Sequence, residues 1–137
     1  MDEKLSIIDI KWARNGKKFV SGTSSKMMYV VHWIDEPVVK GVNWTSKTIK
    51  AKFDSSIVSC AFDPSGRVVA AVSFDGNCKI ISAYLPKIDT EPTTGPFASI
   101  TDFGTPLLSF NCMFWLNHVT WNPSGNEICY ISHDGTL

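Results

Sequence analysis

The feature that most constrains this chain is the stretch from Ile57 to Tyr84, which reads as three apolar β segments separated by two tight turns. The first turn is Asp63-Pro64-Ser65-Gly66, in which proline fixes an early φ angle and glycine supplies the positive φ of a chain reversal. The second turn, Asp75-Gly76, is a two-residue hairpin signal between runs rich in Val and Ile. The stretch therefore predicts an antiparallel meander, whose edges and faces need neighbouring strands and sheets.

The same pattern occurs three times in the chain. A shift of 50 residues toward the N-terminus places the stretch on Ile7–Trp33, and a shift of 59 residues toward the C-terminus places it on Leu116–Leu137. Self-similarity of this kind is typical of repeat architectures. The turn residues that the alignment predicts are Gly16 in the first copy, Asp63, Pro64, Gly66, Ser73, Asp75 and Gly76 in the second, and Pro123, Gly125, Ser132, Asp134 and Gly135 in the third.

A four-stranded unit of about 40–50 residues that recurs with turn signals is typical of a β-propeller blade. We therefore predict an all-β, partial β-propeller of about two and a half blades, each a four-stranded antiparallel sheet. The first blade spans residues 1–56, the second spans 57–113 with a long outer linker, and the third starts at 114 and is truncated at 137. Either Phe97–Asp102 or Leu107–Phe110 is expected to be the outer strand of the second blade.

Because each blade buries both faces only by stacking on its neighbours, the pattern indicates a fragment of a larger propeller or a ring that another chain completes. The terminal blades would each expose an apolar face. We therefore expect the isolated chain to self-associate, to swap strands or to be unstable.

Composition and charge restrict the possible partners. Lys plus Arg number 13, and so do Asp plus Glu, so no global charge favours nucleic acid or a membrane surface. The first 50 residues carry nine bases and five acids, and residues 51–137 carry four bases and eight acids. These halves could attract each other or two different partners, or they could simply be solvated surface. No run approaches the roughly 20 apolar residues of a membrane span, and the N-terminus lacks the hydrophobic core of a signal peptide.

The four cysteines, Cys60, Cys78, Cys112 and Cys129, contain no C-x-x-C pair, which indicates a reduced, intracellular protein without disulfides. A zinc site would need three or four ligands at close spacings, and Cys112, His118 and Cys129 would meet only by accident. We predict no metal and no cofactor.

Ser132, His133 and Asp134 are consecutive, so their side chains alternate in direction along a strand and hairpin. A catalytic triad needs its nucleophile and base to converge within hydrogen-bond reach. We therefore expect a hairpin turn here and a non-enzymatic protein. A hydrolase or a metalloprotein is the least favoured alternative.

The repeats resemble degenerate WD repeats. Ser73-x-Asp75 and Ser132-x-Asp134 match the Ser and Asp of that family's hydrogen-bond network. Val31-His32 and Ile81-Ser82 stand where the Trp-Asp pair belongs, so the network is incomplete and packing must substitute for it.

Four segments in order resemble one WD-repeat family in particular, the WD-repeat subunit of the actin-related protein 2/3 complex, a seven-subunit actin nucleator. These segments are Trp44-x-x-Lys47-x-Ile49-Lys50, Ile80-Ile81-Ser82-Ala83-Tyr84, Phe103-Gly104 and Ser132-His133-Asp134-Gly135-Thr136. The match covers essentially the whole chain, as the middle blades of that propeller. The late-blade insertion with which that family contacts promoting factors is absent, so no residue can be assigned to it.

The resemblance implies a non-catalytic scaffold subunit that supports actin filament nucleation and branching. Its implied partners are actin-related proteins and other subunits of the complex, with the actin filament contacted indirectly and with no nucleic acid or membrane. The implied location is the cytoplasmic actin cytoskeleton. The alternative is a generic WD-repeat adaptor of another assembly, such as a vesicle coat or a ubiquitin ligase.

Aromatic and basic residues provide candidate partner contacts, which are Trp44, Lys47, Lys50 and Lys52. The lysines, like the pair Lys17-Lys18, are either a solvated strand edge or a contact for an acidic partner.

Among the tryptophans, Trp12 and Trp121 occupy inward strand positions in the repeat alignment, which predicts that they lie in the core. Trp33 and Trp44 fall near strand ends, where exposure is expected.

Overall fold

The computed structural model describes residues 6–49 and 51–135, and these residues form ten β-strands in three antiparallel sheets. The strands are β1 (Ile7–Trp12), β2 (Lys18–Thr23), β3 (Met28–Trp33), β4 (Trp44–Ile49), β5 (Ile57–Phe62), β6 (Val68–Ser73), β7 (Asn77–Ser82), β8 (Pro106–Asn111), β9 (Leu116–Trp121) and β10 (Ile128–Ser132). Strands β1–β4 form the first sheet and β5–β8 the second, each in chain order, while β9 and β10 form the third. The predicted fold class, an all-β partial propeller, is confirmed. Within the described ranges there is no helix long and apolar enough to cross a membrane.

The outer strand of the second sheet is β8, which pairs antiparallel with β7. Of the two stretches predicted for this strand, Leu107–Phe110 is therefore correct, and residues 97–102 lie in a turn-rich segment of the linker.

The second sheet lies between the other two, and its sequence reflects that position. Every residue of β6 is buried, although the strand reads Val-Val-Ala-Ala-Val-Ser without alternation. A strand that is covered on both faces has no solvent side and needs no polar positions. The small alanines allow both neighbouring sheets to approach closely.

Two hydrophobic cores fill the spaces between the sheets. The first core joins the first and second sheets and contains Val20, Met28, Val30, Ile49, Ile57, Cys60, Val69, Ala71 and Ile81, among others. The second core joins the second and third sheets and contains Val68, Ala70, Val72, Cys78, Ile80, Leu116 and Val119. Each core forms between blades, as stacking of propeller blades requires.

Trp12 does not lie in a core, so that prediction is wrong. The side chain is 57% exposed and lies on the face of the first sheet opposite the second sheet. The equivalent residue of the second sheet, Phe62, packs against the first core because the first sheet covers it. Trp121, at the equivalent position of the third sheet, packs against the second core, and its indole Nε1 donates a hydrogen bond to the carbonyl of Ala61 at 3.0 Å.

Candidate protein-interaction surface

The turns that follow the first strand of each sheet are held by side-chain acceptors. The Asp63 carboxylate accepts hydrogen bonds from the backbone N–H groups of Arg67 at 3.0 Å and Val68 at 3.1 Å. Asn122 plays the same part in the third sheet, where its Oδ1 accepts from the N–H of Gly125 at 2.9 Å. Pro64 and Pro123 directly follow these acceptors, and Gly16, Gly66 and Gly125 have φ angles of +70°, +74° and +75°.

The hairpins that join the second and third strands carry the Ser-x-Asp pairs. Ser73 donates its hydroxyl to Asp75, and Ser132 donates to Asp134. Burial raises the pKa of Asp75, but hydrogen bonds from Ser73 and Asn77 outweigh burial, and the pKa lies below its ordinary value. Gly76 and Gly135 complete these hairpins with φ angles of +90° and +81°, and Lys26 has φ +69° at the equivalent position of the first sheet.

The backbone of the second hairpin also meets the linker closely. The Gly76 carbonyl accepts a hydrogen bond from the N–H of Cys112 at 2.8 Å, and a Cβ atom at Gly76 would collide with the carbonyls of Cys112 and Phe114. Only glycine therefore fits at this position.

Lys18 lies between the first sheet and the linker of the second, so neither alternative predicted for it, a solvated strand edge or a contact for an acidic partner, is correct. The side chain is fully buried, and its Nζ donates to Asp89 Oδ2 at 2.5 Å and to the Ala83 carbonyl at 2.8 Å. Burial lowers the pKa of Lys18, and the Asp89 carboxylate opposes that shift. The same Asp89 oxygen accepts from the N–H of Leu85 at 2.8 Å. The linker of the second sheet therefore folds over the start of β2 and neutralises this lysine.

A groove of about 920 Å³ opens between the three first turns and linker residues 88–96. Arg67 lines it, and its guanidinium donates to the carbonyl of Glu91 at 2.8 Å and lies 5.0 Å from the ring centre of Tyr84. Arg14 and Lys17 are exposed on its rim. Arg67 therefore ties the linker to the wall of this groove.

An aromatic cluster covers the open face of the first sheet. Trp12 lies 5.0 Å from Phe19 and 5.8 Å from Trp44, and Trp44 lies 5.6 Å from Trp33, measured between ring centres. The pairs that involve Trp44 and the other two tryptophans meet edge to face, a favoured aromatic geometry. The exposed apolar residues of this face, here named the aromatic face, are Ile8, Ile10, Trp12, Trp33 and Trp44.

The 50-residue repeat aligns the aromatic face of the first sheet with the face of the second sheet that the first sheet covers. Trp12 and Phe19 pair across β1 and β2 as Phe62 and Val69 pair across β5 and β6. In the second sheet these positions belong to the first core, under the first sheet. The aromatic face therefore has the shape and the chemistry of a surface on which another sheet stacks.

The lysines that the sequence nominated as partner contacts do not form one cluster. The Lys47 ammonium lies 4.5 Å from the ring centre of Phe103, which places it against the linker of the second sheet. Lys52 is exposed, and its carbonyl accepts a hydrogen bond from Lys79. Lys50 lies outside the described residues. Of the three nominated residues that the structure describes, Trp44 alone belongs to the aromatic face.

The structure places the side chains that the sequence analysis considered for catalysis and metal binding. The His133 ring lies 4.7 Å from the Trp115 ring at an interplanar angle of 33°, and Ser132 donates to Asp134. In residues 6–49 and 51–135, no three His, Cys, Asp or Glu residues are grouped as metal ligands. Burial raises the pKa of Cys60 and of Cys78 to about 12, which keeps both thiols protonated and unreactive.

Comparison with known proteins agrees with this geometry. Residues 44–82 match the family described as WD domain, G-beta repeat. The chain is also similar to "Actin-related protein 2/3 complex subunit 1A" of Arabidopsis thaliana, at 28% identity over 93% of the chain and 33% of the relative. Subunit 1A-B of Xenopus laevis is 29% identical over 93% of the chain and 34% of the relative. Subunit 1 of Schizosaccharomyces pombe is 27% identical over 93% and 33%.

The resemblance read from the sequence is therefore confirmed, as is its extent over nearly the whole chain. The chain spans about one third of the length of the curated relatives that it matches.

Proposed function

We propose that this chain supplies propeller blades to a non-catalytic scaffold subunit of the actin-related protein 2/3 complex and thereby supports actin filament nucleation and branching. The observation that carries the proposal is the similarity over 93% of the chain to proteins named as subunit 1 of that complex in a plant, an animal and a yeast. A WD domain alone would support only the fold, because one fold serves many functions.

The packing supports a rigid scaffold. The first core and the buried Lys18–Asp89 pair fix the first and second sheets and their linker to one another, and the second core fixes the third sheet to the second. Such a stack presents its turns and hairpins at defined positions, as a subunit that holds several partners must. We propose that the aromatic face, with Trp44 in it, stacks on another propeller blade, since its counterpart in the second sheet does so within this chain.

The proposed partners are the actin-related proteins and the other subunits of the complex, with the actin filament contacted indirectly. Exposed Lys52 remains a candidate partner contact, and Lys50 is proposed beside it on the sequence alone. The proposed location is the cytoplasmic actin cytoskeleton. The proposal involves no catalysis, cofactor, nucleic acid or membrane.

Depletion of this protein from its own cells, followed by imaging of branched actin networks, tests the function. We expect the density of actin branches to fall after depletion. It should recover when the wild-type chain is expressed again as part of its full-length protein. A variant with Lys18→Met, which leaves Asp89 buried without its ion-pair partner, should fail to restore branching. Unchanged branching after complete depletion would contradict the proposal and favour the alternative of a vesicle-coat or ubiquitin-ligase adaptor.

A further inference from the structure

Three aromatic rings lie in a row on the hairpin side of the second and third sheets, the first two stacked and the third tilted. Phe74 and Trp115 are stacked with ring centres 4.4 Å apart and planes 28° apart. Trp115 and His133 follow at 4.7 Å and 33°. We call these three residues the ring ladder. It connects the hairpin of the second sheet, the segment before β9 and the hairpin of the third sheet.

The backbone holds the ring ladder in place through a hydrogen bond that recurs in every sheet. The N–H of Phe74 donates to the carbonyl of Ser56 at 3.0 Å, and the N–H of His133 donates to the carbonyl of Trp115 at 2.7 Å. In the first sheet the same bond joins Ser24 to Ser6 at 2.9 Å. The first sheet makes this backbone hydrogen bond with a serine at both positions. The fold therefore does not require aromatic residues there.

The ring ladder is open to solvent. Phe74 and Trp115 are each 47% exposed, His133 is exposed, and Met113 beside them is 94% exposed. Unlike the aromatic face, which lies on strands, the ladder lies on turns and loops. Exposed aromatic residues on a rigid backbone are typical of binding hot spots.

The charges beside the ladder are acidic. Asp75 follows Phe74 directly, Asp134 follows His133 directly, and both are exposed. Their hydrogen bonds to Ser73 and Ser132 fix the carboxylates on the same two hairpins as the rings. A stack of rings can accept either a nucleobase or a guanidinium group. Carboxylates repel the phosphates of a nucleic acid and attract an arginine.

From this combination we infer that the ring ladder is a docking surface for an arginine-bearing segment of a partner protein. The planar guanidinium stacks on the outer face of Phe74, since the two faces of Trp115 are occupied by Phe74 and His133, and the carboxylates of the two hairpins provide the complementary charge. The inference goes beyond the proposed function and does not depend on it, because it follows from this chain's own rings and acids whatever assembly contains the chain.

Binding of short labelled probes to the purified chain, followed by fluorescence anisotropy, tests the inference. The probes are an alternating glycine–arginine octapeptide, the matching glycine–glutamate octapeptide and a dT oligonucleotide. The test variants are Phe74→Ser and Trp115→Ser, which place in the ladder the residue that the first sheet carries at the equivalent positions. The control is Phe114→Ser, which removes a ring that is also 47% exposed but is not stacked in the ladder.

We expect the arginine peptide to bind, the glutamate peptide and the oligonucleotide to bind more weakly, and added salt to weaken arginine binding. Each ladder variant should weaken binding about fivefold or more, and the control should bind like the wild type. Equal binding of both peptides would overturn the inference, as would wild-type affinity in both ladder variants. Preference for the oligonucleotide would overturn it in favour of a nucleic-acid surface. Circular dichroism melting of each variant shows whether a loss of binding is a loss of fold.

Discussion

The Nζ atom of Lys18 lies 2.5 Å from Oδ2 of Asp89, and both side chains are almost fully excluded from solvent. One residue lies in the first sheet and the other in the linker of the second, 71 positions apart. A buried ion pair is balanced between the cost of desolvation and the gain of attraction, so loss of either partner leaves a charge uncompensated. This pair therefore makes the linker and the first sheet mutually dependent.

Lys18→Met or Asp89→Asn alone should lower the free energy of unfolding by about 3–5 kcal/mol, because each leaves one buried charge unpaired. The double variant should lose much less than the sum of the two. Urea unfolding monitored by circular dichroism measures all three, and Lys17→Met at the exposed neighbour should change stability by less than about 0.5 kcal/mol. Additive losses in the double variant would show that the two residues do not interact.

Lys26→Gly should stabilise the chain. Lys26 has φ +69°, where a side chain costs about 1–2 kcal/mol, and the two equivalent positions are Gly76 and Gly135. Part of the gain is offset by the greater chain entropy of glycine, so we expect an increase of about 0.5–1 kcal/mol in the free energy of unfolding. Thermal and urea denaturation measure it.

The control for this substitution is Arg14→Gly, at an exposed turn position where φ is not positive. It should give no stabilisation. A loss of stability in Lys26→Gly would mean that the strain at this hairpin is offset by contacts of the lysine side chain.

Asp9→Asn should reduce stability at neutral pH and matter little in acid. Burial raises the pKa of Asp9, but hydrogen bonds from Lys11 at 2.8 Å and from the N–H of Cys60 at 3.0 Å outweigh burial, and the pKa lies below its ordinary value. The stabilisation from a depressed carboxyl pKa is present above about pH 4 and is lost as the pH falls through the lower folded value.

The stability difference between wild type and Asp9→Asn should therefore narrow below about pH 4. Urea midpoints measured at several pH values test this, with exposed Asp54→Asn as the control. A gap that stays constant down to acid pH would show that the Asp9 charge does not contribute to the contact between the sheets.

The aromatic face should cause the isolated chain to self-associate. Trp12 is 57% exposed and Trp44 is 38% exposed, within a cluster of rings and isoleucines. Substitution of both by Ser should lower the average mass in light scattering after size exclusion, because the apolar area that drives association decreases. Phe114→Ser, outside that face, should leave the mass unchanged. A wild-type chain that stays monomeric at high concentration would contradict this prediction.

The sequence was sufficient to predict the fold because turns and hairpins repeat with fixed spacing. It failed at Trp12, since a repeat alignment identifies equivalent positions but does not show whether a neighbouring sheet covers them. The burial of Lys18 was not predicted, for a related reason. Alternation along β2 places it on the same face as Val20, which could have indicated burial, but its partner Asp89 lies in a linker without any repeat pattern. The ring ladder was missed because its residues come from three segments that only the folded chain brings together.

The most direct test of the proposed subunit role is affinity capture of the tagged protein from its own cells, with quantitative mass spectrometry of the bound proteins. We expect actin-related proteins 2 and 3 and the other subunits of that complex in amounts close to that of the tagged protein. Capture of the folded protein without actin-related proteins, or with vesicle-coat or ubiquitin-ligase subunits in their place, would contradict the account.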